Sequence, residues 1–343
     1  MIRRALAALL LLAQAAAFFA AVWVIRGLYA PLRFRTDQVL FEVPKGIGVG
    51  AVAARLKNEG LIDRTGPFLT AYRLFYAPRG IKAGEYGWKA PLTVKRALLD
   101  MVEGHVRLRS FTVPEGLTAR ETAALVDAQG LWKAPAFLAA AREAGLVADL
   151  DPKARNLEGY LFPETYFYPK GTEAEDIVEA MVERFRSVWN EGSQARIRRL
   201  GMTAREAVTL ASLIEKETSL AAEKRLVSAV FHNRLRIGMK LDCDPTIIYA
   251  LKEEGRFTGN LRRRDLEAPD PYNTYLRPGL PPGPICNPGR ASIEAAVDPA
   301  DVPFLYFVSR NDGSHIFSAS FRDHQNAVRK YQINKGFRSG RRD

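Results

Sequence analysis

The chain has 343 residues, of which 47% are hydrophobic and 26% are charged. This length exceeds one average domain, and this composition excludes a disordered chain and predicts folded units with buried cores. Lys and Arg outnumber Asp and Glu by 50 to 38, for a net charge of +12. Because these basic residues are spread along the chain without a nucleic-acid-binding motif, we expect no nucleic acid partner but a basic surface near anionic cell-envelope material.

The N-terminus carries one long apolar segment. After Arg3 and Arg4, Ala5–Ile25 is a run of 21 residues without a charge. At about 1.5 Å per residue such a run just spans the ~30 Å hydrocarbon layer, and it exceeds the usual apolar region of a signal peptide. We therefore predict that residues 1–35 are a transmembrane anchor and its flank in a single-pass protein of the cell inner membrane, with the rest in the periplasm. Small residues at Ala15–Ala21 leave cleavage as the alternative.

An internal repeat follows the anchor. Phe41–Gly46 recurs 70 residues later as Phe111–Gly116, and eight of 21 aligned positions are identical without a gap. Each copy has the pattern of a strand, a Pro/Gly turn, an amphipathic helix and a glycine stop. We therefore predict one small module over residues 39–108 and a second, related module with connecting helices over residues 109–196.

The sequence changes character near Leu200, where helical patterns begin. Thr203 and Glu206 form a capping box, which predicts a helix from there to about Thr218. A second helix is predicted from about Ala222 to Arg236, ended by Gly238.

A proline-rich segment and two short strands complete this region. Seven prolines lie between Pro269 and Pro288, a density that predicts an ordered loop lining a site. Phe304–Val308 and His315–Phe317 are predicted strands around an Asn-Asp-Gly turn. We assign residues 197–335 to a catalytic domain and residues 336–343 to a basic tail.

One glutamate stands out on the first of these helices. Leu210, Leu213 and Ile214 form an apolar stripe, and Glu217 continues it on the core-facing side. Glu217 also lies in the last helical turn, where the helix dipole disfavours an anion. Both effects should raise the pKa of its carboxyl group, as suits a proton donor near neutral pH. Glu215 points to another face and is the weaker candidate, while a structural pair between Glu217 and an arginine is the alternative.

Other chemistry has little support in the sequence. Asp242 and Asp244 flank Cys243 without the spacing of a metal site, and no nucleophile elbow or phosphate-binding loop is present. We expect no metal and no cofactor. Cys243 and Cys286 are the only cysteines; in an oxidising compartment they could pair, or remain buried free thiols.

Several motifs in one order resemble the MltG (YceG-like) endolytic murein transglycosylases. The resemblance runs from the anchor to about Tyr331 and includes the family's LysM-like segment after the membrane helix. Its motifs are Leu210–Thr218, Phe231–Leu235, Asp244-Pro245-Thr246, Tyr272–Tyr275 and Gly279–Gly283.

The resemblance implies a reaction and a catalytic residue. The family cleaves the MurNAc–GlcNAc bond of nascent peptidoglycan strands, leaves 1,6-anhydroMurNAc ends and terminates strand elongation, in association with cell-wall synthesis machinery such as penicillin-binding proteins. The family's acid is the second glutamate of Glu-Lys-Glu-Thr, which is Glu217 here. A peptidoglycan hydrolase, with Asp244, Glu158 or Glu164 as its base, and a non-catalytic glycan-binding envelope scaffold remain the alternatives.

The expected fold is α+β, with an N-terminal transmembrane helix, LysM-like strand–helix modules and a mainly helical catalytic domain ending in a β element. Sugar faces stack on aromatic rings, so the proline-rich loop and its surroundings supply the candidate groove. Glu215 and Asp244 are supporting candidates, together with Tyr249, Tyr272, Asn273 and Tyr275. Packing of the loop itself is the alternative role for these four residues.

Overall fold

The structure, a computed structural model, describes residues 2–333. Within them the chain forms two compact units. The N-terminal unit comprises residues 2–110 and 167–172, and the C-terminal unit comprises residues 111–166 and 173–333. The basic tail assigned to residues 336–343 lies outside the described residues.

The chain begins with helix α1, Ile2–Tyr29. Its apolar part has a mean hydropathy of 2.3, so the helix is long and apolar enough to cross a membrane. An N-terminal signal sequence can have the same length and composition. Only Val24 and Leu28, near its C-terminal end, are buried in the protein. The expected apolar N-terminal helix is therefore present.

The rest of the N-terminal unit is a two-stranded antiparallel sheet covered by helices. Its elements are β1 (Gln38–Val43), α2 (Val49–Asn58), α3 (Thr65–Ala71), a π-helical turn (Tyr72–Tyr76), a 3₁₀ turn (Ala77–Arg79), β2 (Gly84–Lys89) and α4 (Val94–Glu103). Strands β1 and β2 pair with Phe41 opposite Tyr86. The Trp88 ring stacks against both of these rings at 5.7 Å between centroids, so aromatic packing forms the centre of this core.

The second copy of the repeat folds like the first at its start. Strand β3 (Leu108–Thr112) leads through a turn to α5 (Ala119–Ala128), as β1 leads to α2. Gly46 and Gly116 hold the matching turns at φ of 78° and 79°, a left-handed conformation that favours glycine. The prediction of two strand–turn–helix units is confirmed.

The C-terminal unit is mainly helical. The elements that follow α5 are α6 (Ala134–Ala140), a 3₁₀ turn (Ala144–Val147), β4 (Thr165–Pro169, whose last three residues belong to the N-terminal unit), α7 (Ala174–Val188), α8 (Glu191–Leu200), α9 (Ala204–Glu217), α10 (Ala221–Arg236), α11 (Asp244–Glu253), α12 (Arg263–Leu266), α13 (Arg290–Val297), β5 (Tyr306–Ser309), β6 (His315–Ser318), α14 (Phe321–Val328) and a π-helical turn (Arg329–Ile333). Strands β3 and β4 form one two-stranded sheet, and β5 and β6 form another.

Helix α9 is the central helix of the C-terminal unit, in contact with α8, α10, α11 and α13. Its predicted capping box is present, with the Thr203 hydroxyl accepting from the Glu206 N–H and the Glu206 carboxylate accepting from the Thr203 N–H. The predicted stripe is fully buried. The expected turn between β5 and β6 is also present, with Asn311 and Gly313 at positive φ. The mixed, mainly helical fold class is confirmed.

Candidate functional site

Glu217 is the last residue of α9. The helix ends there because Thr218 turns into an extended conformation, with φ of −145°. The Thr218 hydroxyl then accepts a hydrogen bond from the Leu220 N–H at 3.1 Å. Glu217 is half-buried, whereas Ile214, one turn before it, is fully buried. The carboxyl group therefore lies at the rim of the core.

The nearest polar partner of Glu217 is a thiol. Cys243 precedes α11, and its Sγ donates to Glu217 Oε1 at 3.0 Å. The backbone around Cys243 is held on both sides, because its N–H donates to Thr274 Oγ1 at 3.0 Å and its carbonyl accepts from Thr246 Oγ1 at 2.7 Å. Burial, with the nearby Glu217, raises the pKa of the Cys243 thiol well above its ordinary value. Cys243 is thus a protonated donor at neutral pH.

The pKa of Glu217 is raised, in the direction expected from the sequence. Burial of the carboxyl group is the largest cause, and the negative charge of Asp244 adds to it. The Cys243 hydrogen bond acts in the opposite direction, as do the electrostatic influences of His315 and Arg234. Desolvation dominates, because a carboxylate loses more solvation on burial than these partners return.

Asp244 and Tyr275 form a second pair beside Glu217. Asp244 is the first residue of α11, and its Oδ1 accepts from the Tyr275 hydroxyl at 2.6 Å. Tyr275 belongs to the proline-rich loop, which therefore contributes directly to the surroundings of the carboxyl group. Of the four candidate groove residues, Tyr275 is the one in contact with a neighbour of Glu217.

A histidine from the terminal β element joins this region. His315 begins β6, and its N–H and Nδ1 bind the two oxygens of Glu223 at 2.9 and 2.7 Å. Glu223 Oε2 also lies 3.4 Å from the Thr218 hydroxyl. Arg234 approaches from α10 and donates to the carbonyl oxygens of Leu305 and Leu241 at 2.7 and 2.8 Å. Sequence reasoning did not select Cys243, His315, Glu223 or Arg234 as site residues. Arg234 lies within the motif Phe231–Leu235, which could have drawn attention to it.

Glu215 has a different environment from Glu217. Its two oxygens accept from the buried Lys224 at 3.0 and 3.1 Å. Oε2 also accepts from the Gly289 N–H at 3.0 Å and from the Ser292 hydroxyl at 2.7 Å. These donors lie at the start of α13, so Glu215 joins three helices and is fully occupied as an acceptor.

The two other carboxylates considered as bases lie in separate places. Glu158 is buried at the start of α5, where both of its oxygens accept from the Ala119 N–H at 3.1 and 3.0 Å. Burial raises the pKa of Glu158 to about 8, partly offset by this hydrogen bond. Glu164 is paired with Arg184 at 2.8 Å, which lowers the pKa of its carboxyl group. Asp244 is the one candidate base that acts electrostatically on Glu217.

Of the remaining candidate groove residues, Tyr249 lies on α11 and Tyr272 in the proline-rich loop, and both are half-buried. The rings of Tyr249 and Tyr272 contact each other with centroids 5.0 Å apart. Asn273 is 1% exposed, and its Nδ2 donates to the carbonyls of Leu266 and Ala268 at 3.0 and 2.8 Å. Asn273 therefore holds the loop together from inside, beyond the reach of a sugar.

The suggested disulfide is absent. Cys243 and Cys286 are both free and buried. The Cys286 thiol lies 3.4 Å from the Ser212 carbonyl oxygen, while the Cys243 thiol binds Glu217. The bridged hypothesis is wrong, because the two thiols are free and bind different acceptors on α9, the Ser212 carbonyl oxygen and the Glu217 carboxylate.

A large cavity of about 1290 Å³ lies at the opposite end of α9, lined among others by Thr203, Arg205 and Pro282. Glu217 is not one of its lining residues. Residues 2–333 also contain no group of three or more His, Cys, Asp or Glu side chains placed to hold a metal ion.

Comparison with known proteins places this geometry in context. The model of the YceG-like family matches residues 41–330. The chain is 31% identical over 313 residues to an endolytic murein transglycosylase of Bacillus subtilis, covering 87% of this chain and 86% of that protein. It is 27% identical over 358 residues to an endolytic murein transglycosylase of Streptococcus pneumoniae, covering 95% of this chain and 64% of that protein.

A solved structure is similar as well. The crystal structure of a yceG-like protein from Listeria monocytogenes has a TM-score of 0.57 and 29% sequence identity, and the match covers 84% of this chain and 98% of that one.

Proposed function

This chain belongs to the YceG-like family, and on that premise we propose that it is an endolytic murein transglycosylase whose catalytic acid is Glu217. The single observation that carries the assignment of the acid is the position of Glu217, a half-buried residue at the end of α9 where burial raises the pKa of the carboxyl group. A raised pKa favours the protonated form, which the first step of the reaction requires.

The reaction needs only one carboxyl group. Glu217 donates its proton to the glycosidic oxygen between MurNAc and GlcNAc as the bond to the anomeric carbon breaks. The resulting carboxylate then removes the proton from the 6-hydroxyl of MurNAc, whose oxygen attacks the anomeric carbon. The product is a 1,6-anhydroMurNAc end, no water is consumed, and Glu217 regains its proton.

The surroundings of Glu217 support both steps. Burial and the Asp244 charge favour the protonated form that starts the reaction. The Cys243 thiol and the positive charge of Arg234 stabilise the carboxylate that forms after proton donation. Because these influences oppose one another, the carboxyl group of Glu217 can both donate a proton and take one back.

A hydrolase with Asp244 as its base is the second candidate, because Asp244 lies close enough to influence Glu217. The Tyr275 hydroxyl already occupies Asp244 Oδ1 at 2.6 Å. This favours a role for Asp244 in adjusting the pKa of Glu217 over activation of a water molecule. The products distinguish the two reactions, since hydrolysis leaves reducing ends.

We also propose a cellular arrangement for the chain. Helix α1 anchors it in the inner membrane, the remainder lies in the periplasm and acts on nascent peptidoglycan, and penicillin-binding proteins are the expected partners. Residues 39–108 form the LysM-like module, a proposal supported by the order of one strand, two helices and a returning antiparallel strand. Residues 109–196 form the second module and residues 197–335 the catalytic domain.

Digestion of purified glycan strands tests the activity. The full chain in detergent is incubated with strands stripped of protein, and the fragments are analysed by mass spectrometry beside a digest made with a hydrolytic muramidase. We expect ends lighter by one water than the muramidase products. Reducing ends would replace the proposal with hydrolysis, and intact strands that nevertheless bind the protein would favour a glycan-binding scaffold.

A further inference from the structure

The N-terminal unit packs against the last two turns of α1. Val24 and Leu28 are buried there. Gly66 of α3 lies directly against the ring of Trp23, so closely that a Cβ at this position would collide with the ring. The charge-free part of α1 ends at Ile25, so this packing begins where a membrane-spanning helix leaves the hydrocarbon layer.

An apolar pair projects from the continuation of α3. The π-helical turn Tyr72–Tyr76 follows α3, and its two tyrosines pack against the core of the unit. Leu74 and Phe75, between them, are 68% and 65% exposed. The Phe75 ring touches the edge of Tyr76, with centroids 6.2 Å apart, but most of the Leu74 and Phe75 side chains stays exposed. Neighbouring large apolar side chains exposed in this way mark a contact with something outside the unit.

The segment that carries this turn packs beside the end of α1. Pro67 of α3 lies directly against Gly27, so closely that a Cβ at Gly27 would collide with it, and Lys95 Nζ donates to the Tyr29 hydroxyl at 2.9 Å. Tyr29 is four residues beyond Ile25, which is roughly 6 Å along a helix and corresponds to the headgroup region of a bilayer. Leu74 and Phe75 are therefore placed near the depth of the membrane interface.

We propose that Leu74 and Phe75 form a membrane-contacting tip that enters the interface of the leaflet facing the catalytic domain. The occupant of this surface is lipid, because the same unit is packed onto the emerging end of an apolar helix. Arg73 and Arg79 flank the tip, and basic residues beside apolar and aromatic side chains are typical of segments that lie in a lipid interface. The proposal rests on the proposed role of α1 as a membrane anchor.

Environment-sensitive labelling of the full chain tests the tip. Phe75→Cys and a control, Phe321→Cys in the C-terminal unit, replace side chains that are 65% and 57% exposed. The native cysteines are buried, so a maleimide dye of the nitrobenzoxadiazole type reacts at the introduced position, and unlabelled wild-type chain checks this selectivity. The labelled proteins are reconstituted in vesicles of phosphatidylethanolamine and phosphatidylglycerol, with or without doxyl-labelled lipid.

We expect the dye at position 75 to emit at shorter wavelength in vesicles than in buffer and to be quenched by the doxyl lipid, with neither effect at position 321. If the dye at position 75 shows no more blue shift and quenching than the dye at position 321, in vesicles that carry bound protein, the membrane-contacting tip is refuted and the anchor is not. Flotation of the vesicles separates this outcome from failure of the anchor, because a chain that does not float with them refutes both. Thermal melts verify that each variant is folded.

Discussion

The thiol of Cys243 donates a hydrogen bond to Glu217 Oε1 at 3.0 Å. A donor to a carboxylate stabilises its ionised form, whereas burial and the Asp244 charge favour the protonated form. The balance among these influences sets the pH range in which Glu217 can act as an acid. Single substitutions can change each of these influences, or a neighbouring group, separately.

Glu217→Gln should abolish strand cleavage while leaving the fold intact. Glutamine keeps the size and hydrogen-bonding capacity of the side chain but cannot give and reclaim a proton. Loss of general acid–base catalysis costs about 10²–10⁴-fold in rate, and here one group serves both steps. The measurement is release of anhydro-ended fragments from purified glycan. Glu294→Gln, on an exposed helical position, is the matched control and should cleave normally; near-normal cleavage by Glu217→Gln would refute the assignment.

Replacement of Cys243 should shift the pH dependence of cleavage. Cys243→Ala removes the donor, so the pKa of Glu217 rises further and the protonated acid persists to higher pH. The hydrogen bond from this thiol should contribute roughly 1 kcal/mol, which corresponds to a change in pKa of about half to one unit. The alkaline limb of the profile of cleavage rate against pH should therefore move upward by the same amount. Cys243→Ser supplies a hydroxyl donor and should bring the limb back to the wild-type position or below it. A wild-type pH profile for Cys243→Ala would show that the thiol does not influence the acid.

Asp244→Asn should shift the same limb in the opposite direction. The charge of Asp244 raises the pKa of Glu217, so its removal lowers that pKa and the acid is lost at lower pH. The products should still carry anhydro ends, because the proposed reaction uses no second carboxylate. Product analysis across the pH range provides the measurement. Loss of all cleavage at every pH, with the protein folded, would instead favour Asp244 as the base of a hydrolase.

Glu215→Gln should lower the free energy of unfolding markedly and should have only a small effect on the rate of strand cleavage. The change leaves Lys224, whose side chain is 4% exposed, without its nearest anion. Removal of one partner of a buried ion pair costs about 3–5 kcal/mol. Thermal or urea unfolding measures the loss, and cleavage is measured under conditions where the variant is folded. Glu294→Gln again serves as the control, and an unchanged melting temperature for Glu215→Gln would contradict the structural role.

Several features of this protein follow from neighbouring residues alone. The capping box of Thr203 and Glu206 fixes the start of α9, and the apolar stripe along that helix places Glu217 on its core-facing side. The repeated Pro/Gly turns predict matching strand–turn–helix units, because the left-handed φ at Gly46 and Gly116 is a local requirement. Such signals involve a few adjacent positions, so they can be identified without knowledge of the fold.

The environment of the carboxyl group depends on tertiary structure. Cys243 is 26 positions from Glu217 in sequence, and His315 is 92 positions from its partner Glu223. No sequence periodicity connects residues so far apart. The sequence suggested a disulfide between the two cysteines, whereas in the structure each thiol is free and binds its own acceptor on α9. Local patterning determined which helix carries Glu217, the proposed acid, whereas the folding of distant segments around that helix decided the partners of Glu217 and the pKa of its carboxyl group.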